Sequence, residues 1–134
     1  MMRCLLDTDI CIYVIKKRPP EVIERLKRRS PGDIAISTIT LFELQYEVEK
    51  SSQRSRSRQA LSRFLSPLRL LSLDSEGALE AAAIRAQLHT QGEPICSYDL
   101  LIAGLARAKD MILVSNKSKE FERIEGLKLE NWAK

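Results

Sequence analysis

One histidine, three cysteines and five scattered glycines are all that 134 residues contain of several residue types often recruited for chemistry. A zinc site needs several soft ligands in register. His89 with Cys4, Cys11 and Cys96, none of them in a CxxC pair, does not supply one. An odd cysteine number without a secretory leader argues against a disulfide framework, and the apolar neighbours of Cys4 and Cys11 assign both to the core. No Ser-His-Asp or Cys-His set is visible, so covalent acyl chemistry is not signalled. The glycines stand singly and form no phosphate-cradling loop. Aromatic residues are 5% and do not interleave with basic ones, so stacking recognition of single strands is not indicated. His89 follows an Ala-rich helical stretch and reads as a surface residue. No apolar run approaches the roughly 18 residues of a membrane span, and no signal peptide is recognisable. The expected compartment is the cytoplasm, away from any membrane.

The length suits one domain, residues 1–134, with one core. Hydrophobic residues are 44% and charged residues 30%, ordinary for a globular protein. The net charge of +4 is unevenly spread: residues 1–69 carry 14 Lys and Arg against 8 Asp and Glu, residues 70–134 carry 8 against 10. Basic clusters at Lys16–Arg18, Arg25–Arg29 and Arg54–Arg58 suit a phosphate backbone, although any one of them taken singly reads better as a solvated helix face.

Short apolar stretches at Arg3–Leu6, Asp33–Ile36 and Met111–Val114 read as strands, with Leu68–Leu73 a fourth and Leu127–Leu129 a short edge. Helical patterns fill the gaps at Glu21–Arg29, Thr38–Lys50, Gln59–Leu65, Ser75–Gln91 and Tyr98–Ala108. Ser51–Ser57 reads as a helix–helix connection. Strands alternating with helices imply an α/β fold with a mainly parallel sheet.

In such a sheet, strand C-termini and the following helix N-termini share one edge, where ligands bind. Asp7 and the Ser115-Asn116 turn follow predicted strands directly. Glu43 and Asp99 lie in the first turns of helices. Each has a structural reading: Asp7 or Asp9 as a helix cap, Thr40–Glu43 as a capping box, Asp99 as a partner of the helix dipole. Against these, Glu43 sits among Leu41, Phe42 and Leu44, with Ser37 or Thr38 better placed to cap. Asp99 is enclosed by Ile95, Leu100, Leu101 and Ile102. A carboxylate inside an apolar segment must be paired, hydrogen-bonded or metal-bound, and neither segment carries a Lys or Arg. Oxygen-only ligands select Mg²⁺ or Mn²⁺, which support phosphodiester hydrolysis.

Together these residues resemble the PIN-domain ribonuclease toxins of the VapC type, the toxin half of VapBC toxin–antitoxin pairs. The resemblance rests on Leu6–Tyr13, Ile36–Leu44, Gly92–Ile95, Tyr98–Ala103, Ser115-Asn116 with Lys119–Phe121, and Gly126-Leu127 with Asn131-Trp132. It implies a three-layer α/β/α fold, Mg²⁺- or Mn²⁺-dependent endoribonuclease activity on RNA, in some relatives tRNA, and a homodimer. It also implies a cognate VapB-type antitoxin wrapped around the toxin. The residues matching the family's acidic catalytic and metal site are Asp7, Glu43 and Asp99, with Asp9, Ser115 and Asn116 lining it. Two departures stand out. Asp9 replaces a common Asn. Lys117 falls where relatives place a fourth Asn or Asp ligand, which leaves open whether Asn116 substitutes, Lys117 points away, or the site holds one metal weakly. Asp7-Thr8-Asp9 also matches the nucleophile motif of haloacid-dehalogenase-like phosphatases, but the later Lys with an acidic pair is missing. A non-catalytic module binding RNA or protein is the other alternative. Lys117 favours it, and retention of three acids opposes it.

Overall fold

The computed structural model describes residues 2–133. In chain order the elements are β1 (Cys4–Leu6), α1 (Thr8–Lys16), α2 (Pro20–Lys27), β2 (Ile34–Ser37), α3 (Thr38–Glu49) and α4 (Arg54–Leu65). They continue as β3 (Arg69–Leu71), α5 (Ser75–Thr90), α6 (Ser97–Ala108), β4 (Ile112–Val114), α7 (Ser118–Phe121) and β5 (Lys128–Glu130). The strands form one sheet in the order β3-β2-β1-β4-β5, and every pairing is parallel.

Side-chain alternation along the strands divides the core into two. Leu5, Ala35 and Leu113 face Ile84, Leu88, Ile102 and Leu105 of α5 and α6. Cys4, Leu6, Ile34, Ile36 and Val114 face Ile10, Val22, Leu44, Val48 and Leu61 of α1–α4, with Trp132 closing that layer. Helices thus cover both faces of a parallel sheet, the three-layer α/β/α arrangement that fully apolar strands require. Each large side chain fully removed from water contributes roughly 1.5–3 kcal/mol.

Several boundaries differ from expectation. α4 begins at Arg54, so half of the Ser/Arg segment is helical and the connection from α3 shrinks to 50–53. Ser51 Oγ accepts from Gln53 N at 3.0 Å and lies 3.0 Å from Ser57 Oγ, which ties the turn to the new helix. β3 shortens from Leu68–Leu73 to Arg69–Leu71 at the sheet edge, two exposed residues and one partly buried; beyond it Leu73 N donates to Thr38 Oγ1 at 3.3 Å instead of to a strand. The Arg25–Arg29 cluster is partly structural: Arg25 and Arg29 pair with Glu130 at 3.3 and 3.5 Å and fasten β5 to α2. Cys4 and Cys11 are buried and His89 is exposed, as expected. No helix among the described residues is long and apolar enough to cross a membrane.

The register puts Leu6 beside both Ile36 and Val114. The residues that end these three strands or follow them, Asp7, Ser37 and Ser115, therefore share the carboxyl edge. α6, which carries Asp99, is seated by close contact with α5. A Cβ built on Gly104 would meet Gly77 O and Ala81 N at 2.6 Å, both backbone atoms that cannot give way cheaply. Gly104→Ala is expected to destabilise the fold by about 1–3 kcal/mol, read as a lowered Tm. Gly32→Ala, in open space, is expected to stay within about 0.5 kcal/mol of wild type. Equal Tm values for the two variants would contradict this packing.

Candidate active site

Asp7 stands at the centre of the carboxyl edge. Its N–H continues the sheet ladder to Val114 O at 3.0 Å, and its Oδ1 accepts from Ile10 N at 3.0 Å, which caps α1. Capping uses one carboxylate oxygen and leaves the other for a different partner. Asp7 is only 2% exposed and forms no ion pair among the described residues. Its pKa is raised to about 7: burial is the largest cause and Asp9 adds repulsion, together outweighing the hydrogen bond to Ser115, the cap from Ile10 and the charge of Lys117, which lower it.

Glu43 is not the partner of a capping box. Ser37 caps α3, accepting from Thr40 N at 3.0 Å. Glu43 is free to reach across to α1, where Thr8 Oγ1 donates to its Oε1 at 2.6 Å. The Thr40 hydroxyl stands 3.2 Å from that of Thr8, so a short hydroxyl chain locks the carboxylate of α3 to the helix that Asp7 starts. Glu43 and Asp9 both line a cleft of about 490 Å³ with Thr8, Phe42, Tyr46 and Tyr98.

Asp99, in the first turn of α6, is 7% exposed. The cation missing from its own segment comes from the turn between β4 and α7: Lys117 Nζ donates to Asp99 Oδ2 at 3.0 Å and lies 3.8 Å from Asp9 Oδ2. Burial alone would lower the Lys117 pKa. The hydrogen bond and charge of Asp99, reinforced by Asp9 and Asp7, outweigh it and hold the pKa above the usual lysine range. The Lys117 backbone is fixed by its N–H to Ser115 Oγ at 3.0 Å. Ser115 itself is fully buried. Asn116 turns toward α1, its Nδ2 donating to Tyr13 Oη at 2.6 Å, while its Oδ1 is buried without a partner.

The six expected residues, Asp7, Asp9, Glu43, Asp99, Ser115 and Asn116, all belong to this one edge. Lys117 bridges Asp99 and Asp9, and Thr8 links to Glu43. Among the described residues no three acidic, thiol or imidazole side chains are already gathered into a metal cluster. The donor chemistry nevertheless fits a hard divalent ion. The side chains offer oxygen, one buried amide oxygen is unpartnered, and the most buried carboxylate has no ion-pair partner.

Sequence reasoning missed four participants: Thr8, Thr40, Tyr13, and the aromatic rim. Phe42 and Tyr98 pack edge to face with centroids 5.6 Å apart, although they lie far apart in the chain. Thr8 had a legible signal in its place between two acids. The Tyr13 contact had none, because it depends on the α1–β4 crossing.

A PIN-domain family model matches residues 4–127. The chain is 41% identical to the tRNA(fMet)-specific endonuclease VapC of Shigella flexneri over 99% of this chain and 100% of that protein. It is 42% identical to ribonuclease VapC2 of Haemophilus influenzae over 98% and 99%. Among solved structures, VapBC2 from Rickettsia felis bound to a promoter DNA fragment superposes with a TM-score of 0.91 at 39% identity, covering 98% of this chain and 99% of that one.

The Asp7 environment has a measurable consequence. Its pKa rises from 3.8 to about 7 on folding, so the folded state holds the extra proton between those values. That contribution is full below pH 4 and is lost as pH climbs through 7. With chelator present, Asp7→Asn should therefore gain on wild type from pH 4 to 7, by at most about 4 kcal/mol. Urea melts across this range test it. A difference independent of pH would contradict the assigned environment.

Proposed function

Since this chain belongs to the PIN-domain family and, within it, to the VapC ribonucleases, we propose that it is the toxin of a type II toxin–antitoxin pair and cleaves RNA phosphodiesters with a divalent metal ion. The observation that carries this reading is the burial of Asp7 and Asp99, 2% and 7% exposed, at the carboxyl edge of the sheet. Buried acids at that edge suit a site built to bind a cation and a phosphate, because the α1 cap occupies one Asp7 oxygen and the Lys117 pair one Asp99 oxygen, which leaves a second oxygen on each.

Asp7 and Asp99 would hold the ion, with Glu43 as a further ligand or as the group that orients the attacking water. Mg²⁺ or Mn²⁺ at this place would supply positive charge to the phosphate oxygens and acidify the attacking water. Glu43 is suited to orienting water because Thr8 fixes one of its oxygens and leaves the other available. Its position beside the cleft gives RNA access from the side lined by Phe42, Tyr46 and Tyr98. Asp9 adds negative charge beside Asp7. Ser115 and Asn116 shape the turn that delivers Lys117. The exposed Arg54, Arg56 and Arg58 at the start of α4 offer positive charge to the RNA backbone.

The partner is a VapB-type antitoxin, in keeping with similar toxins solved as VapBC complexes, and the toxin works as a homodimer in the cytoplasm. Because relatives at 41% and 39% identity carry the name tRNA(fMet)-specific endonuclease, initiator tRNA is the first substrate to assay. The Lys117–Asp99 ion pair favours one rival, a module that binds RNA without cutting it.

Asp7→Ala and Asp99→Ala are expected to lower the rate of tRNA cleavage by about 100-fold or more, and Glu43→Gln by about 10²–10⁴-fold. A chelator should abolish cleavage and added Mn²⁺ restore it. Equal cleavage by wild type and all variants would reject the site. Cleavage surviving the chelator would reject the metal. RNA binding without any cleavage would select the rival.

A further inference from the structure

The acidic edge already contains a cation of its own, and it lies between Asp99 and Asp9. Lys117 Nζ is 3.0 Å from Asp99 Oδ2 and 3.8 Å from Asp9 Oδ2. Its side chain is 35% exposed, so the ammonium is partly withdrawn from water and screened less than a surface charge. Its backbone cannot drift, because its N–H is bonded to the fully buried Ser115 and it begins α7.

The other Asp99 oxygen carries no ion pair among the described residues and is open to one ion shared with Asp7. A second divalent ion ligated by the same oxygen as Lys117, at about 2.0–2.1 Å for Mg²⁺, would share it with the ammonium, and like charges at such a distance repel strongly in a partly buried site. Asp7 and Glu43 are differently placed. Neither forms an ion pair among the described residues, and Glu43 is held only by a neutral hydroxyl. The edge therefore has one half neutralised from within the chain and one half that is not.

We propose that Lys117 is a tethered cation standing in for one of two metal ions, so that this site takes a single divalent ion per chain and keeps Asp99 paired, with Asp9 partly compensated, when no ion is bound. This rests on the metal-dependent reading above. The metal-free edge then carries one full ion pair, at Asp99, with Asp9 sharing the same ammonium at 3.8 Å.

The test uses the purified full-length chain, stripped with chelator and titrated with Mn²⁺ while free Mn²⁺ is read by electron paramagnetic resonance. Wild type and Lys117→Arg are expected to bind one Mn²⁺ per chain. Lys117→Asn is expected to bind a second ion or to tighten binding about tenfold, a change of 1.4 kcal/mol. In chelator, Lys117→Met should melt several degrees below wild type while Lys117→Arg does not, and Mn²⁺ should recover more of the loss in Lys117→Met than it adds to wild type. Two ions per chain in wild type, or identical stoichiometry and affinity in wild type and Lys117→Asn, would overturn the proposal. If no variant binds Mn²⁺, the metal-dependent reading fails. The melting comparison then decides the tethered cation alone: a fall confined to Lys117→Met supports it and equal melting overturns it.

Discussion

A carboxylate at the end of a buried parallel strand cannot be solvated, and the rest of this edge is arranged around that constraint. Asp7 continues the β1 ladder through its N–H, starts α1 through its side chain, and is almost closed to water. The backbone around it is therefore rigid, and its charge is the expensive element. Ser115 and Asp9 are its immediate electrostatic neighbours, one pulling its pKa down and the other pushing it up. The charged form of Asp7 is helped by the Ser115 hydrogen bond, the Ile10 cap and, more weakly, by Lys117, but burial outweighs all three.

The surrounding acids are handled by different means. Glu43 is positioned by the hydroxyls of Thr8 and Thr40, groups that orient a carboxylate without cancelling its charge. Asp99 is paired with Lys117, which does cancel it. One carboxylate is thus oriented without charge compensation and the other is compensated, so the edge has an electrostatic asymmetry. Catalysis by positioned charge depends on such preorganisation: groups already in place require no rearrangement when the phosphate arrives. The helices enforce it through packing, with α6 pressed on α5 at Gly104 and α3 anchored by the Ser37 cap.

Much of this was legible beforehand. Apolar triplets ending in Asp7 and Ser115 identify central strands, and the rule that parallel strands end on one edge brings distant acids together without knowledge of contacts. Glu43 betrayed itself by its apolar neighbours and Asp99 by the absence of a local cation. What remained hidden was cross-chain. Lys117, already placed at the fourth ligand position, lies 18 positions from Asp99, and lysine's long flexible stem gives no sequence clue that it points to that acid and not away. The Arg25–Arg29 cluster misled in the opposite sense: Glu130, which partly neutralises it, is more than 100 residues distant. Helix α4 began early because serine hydroxyls that suggested a loop instead organise its first turn. Charge signs are local in sequence, but their compensation is not.

The central claim is that Asp7 belongs to a cation-binding site and is more than a cap. The most direct measurement is the carbon-13 chemical shift of the Asp7 carboxyl as a function of pH, with and without saturating Mg²⁺. Without metal the carboxyl is expected to titrate near 7, as its buried setting dictates. With Mg²⁺ bound its midpoint should fall below about 5, since an adjacent divalent charge favours the ionised form. A midpoint that stays near 7 at saturating Mg²⁺ would contradict the claim.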